Sequence, residues 1–577
     1  MKSCKKEKIL FWILVAALAV YTIKSIFVGA DIDEAYGVTI GYRLVQGDRL
    51  MWDMWEPHQT SAIFTAVFIR LILLLTGGSL QFMTILLRVC FFVVQTGITW
   101  YVYKSFRDCF PFLTKWEGIL LAFVYYVTTP KCIYVPEYSN LHMWFSTLFT
   151  LFLMQYFCKE ASGFGKDRYL LLSGAMLACD VLSYPGMAVF YPACVAFFLL
   201  GLGRNPKQTM KRRIRALLLF TLPCVVGAGI FIGYLLSYMA PEDIRMMIPY
   251  ILGDGSHKLS VVEKLAIWGG GIGEIVFFIA ACGIAAVVLA ILQKKLVRNP
   301  QKPFSFWSNW IFWWFVVQTV FQMVYWLDTD YNSGYPQLAY VAIPVFGIFC
   351  NRANQKMSRS GFYMILMAGL NFLVLNLFSN WRPGSLTVYL VIGLLGGLFC
   401  YREFAKEKQG EYGLKLFRMI LILFILSEVY GRTLLIIGGD EGSSMLHQVR
   451  GISKQGVRGG IITSYMNSFR YNDNFQRFDE IVPKGGMVLY LGPSQFYYMM
   501  GDCRIASPST ISTPEYDEGF AEYYRLHPER MPDVVVMESC YGDVSYFPED
   551  SYIFTWIEEE YGATSVEEYP YVRVYRK

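Results

Sequence analysis

The sequence is short of charge: Asp, Glu, Lys and Arg make up 17% of its 577 residues, where about a quarter is usual for a soluble globular protein. Apolar residues reach 55% and aromatic residues 17%, which excludes a disordered chain and argues against a water-soluble multidomain enzyme. The 49 Gly and 23 Pro follow no period, so a collagen-like chain is excluded too. The composition is typical of a polytopic membrane protein.

Other motifs are missing as well. The 13 cysteines include no C-x-x-C pair, so neither a zinc site nor a disulfide framework is predicted. Cys503 and Cys540 could pair if the C-terminal part is extracytoplasmic, with free thiols as the alternative. No Walker A or G-x-G-x-x-G motif stands out. No inverted repeat or repeat of about 20 to 50 residues is evident, which weighs against a transporter.

Long apolar runs, by contrast, are abundant. A transmembrane helix needs about 20 largely apolar residues, and thirteen runs meet or approach this length. We expect the first to be an uncleaved signal anchor. The thirteen runs are 9–29, 82–103, 117–135, 141–158, 169–183, 187–203, 216–238, 265–292, 306–327, 337–350, 361–378, 386–400 and 416–437.

The distribution of charge predicts the orientation. Residues 438–577 hold 12 Lys and Arg against 21 Asp and Glu, so the net charge of +6 comes from residues 1–437. One more apolar stretch, 61–75, carries Arg70 near its centre. If it does not span, every basic cluster falls on one side, as the positive-inside rule requires. We therefore predict an interfacial helix there, with Arg70 facing the interface, and a cytoplasmic N-terminus.

These observations predict two domains in the plasma membrane. Residues 1–437 would form a mainly α polytopic domain of about 13 transmembrane helices, with a first external loop at 30–81. Residues 438–577 would form an extracytoplasmic α/β domain. Its predicted strands are 487–491 and 534–537, and its predicted helices are 515–527 and 551–561.

The first external loop holds the densest polar cluster. Three carboxylates within four residues repel one another, so we expect them to bind a cation, a proton or a substrate hydroxyl. A solvated turn that caps a helix is the alternative. A second polar group follows about twenty residues later. The candidate residues of this loop are Asp31, Asp33, Glu34, Tyr36, Glu56, His58 and Gln59.

Further candidates lie outside this loop. Glu137, Tyr138 and Asn140 precede an apolar run on the same predicted side as Asp33, with a capping box or simple loop as the alternative. Arg88 lies near the outer end of its run and could meet a phosphate, or else snorkel to the interface. His257 is a candidate in the third external loop, where a solvated polar residue is the alternative. Asp180 and Glu274 lie within apolar runs, so we expect both to face a cavity or a partner.

The N-terminal anchor is followed by Asp33-Glu34-x-Tyr36, then by Gly47-Asp48 and by Trp55-Glu56-Pro57. This series of motifs resembles the GT-C superfamily of polyprenyl-phosphate-dependent glycosyltransferases. The lipid A aminoarabinose transferases and protein O-mannosyltransferases are the closest analogues, and the likeness covers about residues 9–215.

The resemblance implies that Asp33 activates the acceptor, that Glu34 matches the acidic neighbour of that residue, and that Glu56 matches the Glu of the family's Glu-Lys-Pro element. Pro57-His58 departs from the Lys-Pro of that family, and Asn140 stands where an acidic residue usually opens a helix.

We therefore expect an enzyme that transfers a hexose or pentose from a polyprenyl-phosphate donor to a lipid, protein or cell-wall glycan on the outer face, by an inverting displacement. Arg88, His58 or a divalent cation would offset the charge that develops on the phosphate; any such cation would be held by Asp33, Glu34 and Glu137. Nucleic acid is not an expected partner. A transporter or flippase of lipid-linked saccharides is the alternative function, and a non-catalytic membrane protein whose tail binds a cell-surface partner is a third.

Overall fold

A computed structural model describes residues 2–130, 133–158, 164–200, 209–252, 259–296, 304–328, 338–353, 359–435, 451–511, 517–539, 547–548 and 550–577. Helices dominate up to residue 435. Their bounds are α1 Lys2–Phe27, α2 Ile32–Gln46, α3 Ala62–Leu75, α4 Met83–Cys109, α5 Lys115–Val127, α6 Tyr138–Cys158, α7 Phe164–Ser183, α8 Phe190–Leu200, α9 Met210–Leu236, α10 Pro241–Leu252, α11 Val261–Leu296, α12 Phe306–Asp328, α13 Leu338–Ala353, α14 Arg359–Phe378, α15 Val391–Gln409 and α16 Glu411–Tyr430.

Each of the thirteen predicted apolar runs overlaps a described helix, although the run 117–135 continues past the end of α5 at Val127. Within the described residues, seven helical segments are long and apolar enough to cross a membrane: Glu7–Phe27, Met83–Cys109, Tyr138–Cys158, Met210–Leu236, Val261–Leu296, Ser360–Phe378 and Pro383–Gln409. Three shorter apolar helices are Gln59–Leu75, Pro185–Leu200 and Leu338–Ala353. The chain is thus a multi-pass membrane protein with a mainly helical fold, as the sequence predicts.

Two helices form most of the first loop. The sequence patterns do not predict α2 as a helix, yet Asp31 caps its first turn and Gly47 ends it in the left-handed conformation at φ 102°. The 14 residues of α3 reach only about 21 Å, which is too short for a hydrocarbon core of about 30 Å. Arg70 of α3 is exposed. Both features agree with the predicted interfacial helix.

The C-terminal part is an α/β unit. It contains β1 Gly451–Ile452, β2 Ile462–Thr463, α17 Tyr465–Ile481, β3 Gly486–Leu491, β4 Cys503–Ile505, α18 Asp517–Leu526, β5 Val534–Glu538, α19 Tyr552–Thr555, β6 Ser565–Glu568 and β7 Val572–Arg576. The larger sheet has the described order β4-β3-β5-β7-β6. Strands β4, β3 and β5 are parallel, and the pairs β5–β7 and β7–β6 are antiparallel.

Alternate strand residues of this sheet face opposite layers, as the two-residue period of a strand requires. Val488 and Val536 pack with Phe478 of α17, and this core continues onto α2, α3 and α4. Leu489 and Val535 instead pack in a core with α18 and the first loop. Both faces of the sheet are therefore covered, and the tail shares its cores with the helical part.

Sequence patterns predict the centre of this unit better than its edges. Strands β3 and β5 and helix α18 match the predicted segments closely. The predicted helix at 551–561 is the short α19 followed by one π-helical turn at Trp556–Glu560. The predicted boundary at 437/438 and Cys540 lie outside the described residues, so the division into domains and the Cys503–Cys540 pair stay predictions.

Candidate active site

The first turn of α2 holds the acidic cluster. The Asp31 carboxylate accepts the backbone N–H of Asp33 at 2.9 Å, as an N-cap residue does. Asp33 is half-buried on the first helical turn. Because residues three and four apart share a helix face, Asp33 lies on the face that also carries Tyr36 and Gly37.

Glu34 and Arg88 form a buried ion pair. Arg88 Nε donates to Glu34 Oε1 at 2.8 Å, and Arg88 Nη2 donates to Oε2 at 2.6 Å. The other guanidinium N–H groups point to the backbone carbonyls of Ser25, Ile26, Val28 and Gly29. Arg88 therefore ties the end of α1 to the start of α2. Its predicted contact with a phosphate would require this arrangement to open.

The start of α6 packs directly on α2. Glu137 accepts the backbone N–H groups of Ser139 and Asn140 at 2.9 Å each and also the Ser139 hydroxyl. A Cβ atom added at Gly37 would overlap Glu137 Cβ, so Gly37 permits this close approach. Asn140 Nδ2 donates to the carbonyls of Ile133 and Val135, which fixes the entry to the helix. The structure thus brings Glu137 within about one helical turn of Asp33 along α2.

Aromatic rings extend this site. The His58 and Tyr138 rings stack 4.0 Å apart at 4°, and Tyr36 meets Tyr138 edge-on at 6.3 Å. The Tyr184 ring lies 5.5 Å from His58 and 5.6 Å from His142. His58, Tyr36 and Tyr138 therefore converge beside Glu137.

One turn deeper in α6, His142 and Asp180 form a buried pair. His142 Nδ1 lies 2.7 Å from Asp180 Oδ1, and both side chains are shielded from solvent. In the described residues, His142 Nε2 and Asp180 Oδ2 have no hydrogen-bond partner. Asp180 faces a partner, as predicted for a charge within a membrane helix. Glu274 does not, because the residue is exposed on α11.

Glu56 and Gln59 lie in a separate group. Glu56 Oε1 accepts from Arg43 Nη1 at 2.9 Å and from the backbone N–H of Thr510 at 3.1 Å. Burial raises the pKa of Glu56, with Arg43 and Thr510 acting in the opposite sense. Gln59 Oε1 accepts the backbone N–H of Met51, a residue with φ 63°. Glu56 and Gln59 therefore both stabilise the fold of the first loop. Their predicted contacts with substrate stay predictions.

The loop also contains charged residues that are not among the predicted site residues. Asp48 Oδ2 and Oδ1 lie 2.8 Å and 2.7 Å from Arg43 and Arg530, and Asp53 lies 3.2 Å from Arg530. Burial alone would raise the pKa of Asp53, but Arg49 and Arg530 outweigh it and hold that pKa below its ordinary value. No local sequence pattern shows the pair between Asp48 and Arg530, because the two residues are 482 positions apart.

Two of the three predicted cation ligands already have protein partners, and the divalent cation stays a prediction. Glu34 gives both oxygens to Arg88, and Glu137 gives its oxygens to the start of α6. No group of three His, Cys, Asp or Glu side chains that could hold a metal ion occurs among the described residues. His257, the remaining predicted site residue, lies outside the described residues.

No protein-family model matches the chain, and no curated protein sequence matches it. Among solved structures, ArnT from Cupriavidus metallidurans in the apo state aligns over 98% of this chain and 97% of its own, with 11% identity and a TM-score of 0.45. The same protein bound to undecaprenyl phosphate gives 12% identity, the same coverage and a TM-score of 0.40.

The archaeal oligosaccharyltransferase AglB from Archaeoglobus fulgidus, in complex with an inhibitory peptide and a dolichol-phosphate, aligns over 91% of this chain and 69% of its own. Its identity is 11% and its TM-score 0.42. Identities of 11 to 12% and TM-scores below 0.5 carry no argument about the family of this chain, and they assign it no residue and no substrate.

Proposed function

We propose that the chain is an integral-membrane glycosyltransferase that transfers a sugar from a polyprenyl-phosphate donor to a hydroxyl acceptor on the outer face. The observation that carries this proposal is the packing of α2 on the start of α6, which gathers Asp33, Tyr36, Glu137, Tyr138 and His58 at one end of the helical part. A donor anchored in the membrane by its polyprenyl chain would present its head group at this end of the helical part.

Asp33 is the proposed base. It is half-buried on the face of α2 that also carries Gly37, against which Glu137 at the start of α6 packs. In the proposed step an acceptor hydroxyl gives its proton to the Asp33 carboxylate. Its oxygen attacks the anomeric carbon, and the bond to the phosphate oxygen breaks with its electron pair. A positioned carboxylate base contributes about 10²- to 10⁴-fold to such a step.

The leaving phosphate needs a positive or hydrogen-bonding partner. Arg88 is held by Glu34 and four carbonyls, so we place His58 in this role instead. Its ring is fixed by stacking on Tyr138. An imidazolium at this position would donate a charge-assisted hydrogen bond to a phosphate oxygen.

Transfer of radiolabelled sugar tests the proposal. Membranes that carry the wild-type chain, Asp33→Asn or Glu242→Gln receive a panel of polyprenyl-phosphate sugars. We expect a donor-dependent product in the wild type, about 10²-fold or greater loss in Asp33→Asn, and no loss in Glu242→Gln, whose carboxylate is exposed on α10. Equal labelling in wild type and Asp33→Asn would remove Asp33 from catalysis. No labelling above empty membranes would favour a transporter of lipid-linked saccharides.

A further inference from the structure

A cavity of about 440 Å³ lies between the first loop and the tail. Pockets that bind small ligands usually measure about 300 to 1,000 Å³. Its walls come from the end of α2 and the turn after it on one side and from β3, β4 and the segment after α18 on the other. The cavity therefore exists only when the tail is docked.

The walls carry three guanidinium groups and three carboxylates: Asp48, Arg49, Asp53, Arg504, Glu529 and Arg530. Most are fixed in a row of alternating charge. Arg530 bridges Asp48 at 2.7 Å and Asp53 at 3.2 Å, and Arg49 Nε lies 2.9 Å from Asp53. Rigid side chains lose little conformational entropy when a ligand arrives.

The balance of charge restricts the ligand. Equal numbers of cations and anions give no net attraction for a polyanion or a polycation. They do offer hydrogen-bond donors and acceptors side by side, because guanidinium groups only donate and carboxylates only accept. A sugar hydroxyl does both. Arg504 adds an exposed guanidinium with no ion pair among the described residues.

We propose that this cavity binds a neutral oligosaccharide that forms part of the acceptor; the inference rests on the glycosyltransferase function proposed above. Gly47 at the cavity and Asp33 at the site are separated by the length of α2, about 20 Å. One sugar cannot reach both places. The acceptor is therefore a saccharide chain several units long, held at one end by the tail while the other end meets Asp33.

Binding to the full-length chain in detergent tests the proposal without any donor. The probes are chitotetraose, mannotetraose and cellotetraose, with tetragalacturonate as the acidic comparison, and the readout is isothermal titration. We expect saturable binding of at least one neutral tetrasaccharide. Met487→Trp, which fills the cavity, and Arg504→Ala, at an exposed position, should each raise the Kd at least 5-fold.

Arg525→Ala is the matched control, since this exposed arginine pairs with Glu522 on α18 and does not line the cavity. It should bind as the wild type does. The proposal is overturned if no neutral tetrasaccharide binds, if tetragalacturonate binds most tightly, or if Met487→Trp and Arg504→Ala bind like the wild type. Saccharide binding without donor-dependent transfer would contradict the proposed enzyme activity and support the cavity site. Donor-dependent transfer without saccharide binding would support the enzyme activity and contradict the cavity site.

Discussion

Arg88 shows how a single buried residue can serve the fold instead of the substrate. Its guanidinium group is almost fully buried and is satisfied by Glu34 and four carbonyls. Arg88→Met should therefore leave Glu34 as a buried, unpaired carboxylate and lower the free energy of unfolding by about 3 to 5 kcal/mol. Thermal unfolding of the chain in detergent measures this loss.

The double variant Arg88→Met/Glu34→Leu separates a structural role from a phosphate-binding one. Replacing both members of a buried pair by apolar residues is often nearly neutral, so the double variant should recover much of the lost stability. If Arg88 instead binds the donor phosphate, the double variant would be stable and yet lose transfer activity. Additive losses of stability would contradict the ion pair itself.

For single residues, the sequence shows which side chains are candidates for the site more readily than it shows what each side chain contacts. Crowded carboxylates in the first loop predict Asp33, and a polar group before an apolar run on the same predicted side predicts Glu137 and Tyr138; the structure brings the two groups together. The same reasoning cannot tell that Glu34 meets Arg88 or that Glu56 meets Thr510. These pairs join positions 54 and 454 residues apart, and no local pattern encodes them.

At the scale of whole helices, the contact between α2 and the start of α6 depends on one small residue, Gly37. Gly37 leaves room for Glu137, and a methyl group there would overlap the glutamate side chain. Gly37→Ala should push the two helices apart at a cost of about 1 to 3 kcal/mol, since overpacking in a filled interface is destabilising. It should also reduce transfer, because Asp33 is on the displaced helix face. Thermal unfolding and the radiolabel assay measure the two effects.

Gly97→Ala in α4 is the matched control. A Cβ atom at Gly97 meets nothing within 4 Å, and alanine is preferred to glycine within a helix by about 1 kcal/mol. This variant should be as stable as the wild type or slightly more so, with unchanged transfer. If Gly37→Ala behaves like Gly97→Ala, the α2–α6 packing does not position the site.

Helices that cross a membrane are the elements that the sequence predicts best, because about 20 apolar residues leave few other structures. Helix α2 is not recognised as an apolar run, because charged residues and glycines interrupt its apolar face. Its ends were nonetheless visible in the sequence, as Asp31 before the helix and Gly47 after it. The short strands β1, β2, β4 and β6 are missed because two to four residues carry too little pattern.

At the scale of the whole molecule, hydrogen bonds join the C-terminal tail to the first loop. The backbone N–H of Trp55 donates to the Pro508 carbonyl at 2.8 Å, and the Tyr523 hydroxyl donates to the Asp53 carbonyl at 3.0 Å. Gln46 Nε2 donates to the Cys503 carbonyl at 2.8 Å. The proposed saccharide cavity lies within this junction, so the stability of docking determines whether an acceptor chain can be held.

We expect His527 to make that docking sensitive to pH. Its ring is buried against Trp52, Trp55 and Tyr523. Burial lowers the pKa of His527, although Glu529 and Asp53 act in the opposite sense and Arg530 adds to the lowering. A depressed pKa stabilises the folded chain above the unfolded value of about 6.5, and this contribution is lost as the pH falls through the lower, folded pKa. Acidification below about pH 6.5 should therefore weaken docking.

His527→Phe removes this titration and keeps an aromatic ring in the same place. The thermal midpoint of the wild type should fall more steeply than that of His527→Phe between about pH 6.5 and 5, while the two respond alike between about pH 7 and 8. Limited proteolysis over the same range should release the tail from the wild type first, because protonation of a buried imidazole favours the undocked state. Identical pH profiles for the two proteins would show that His527 stays neutral throughout and that other groups control the junction.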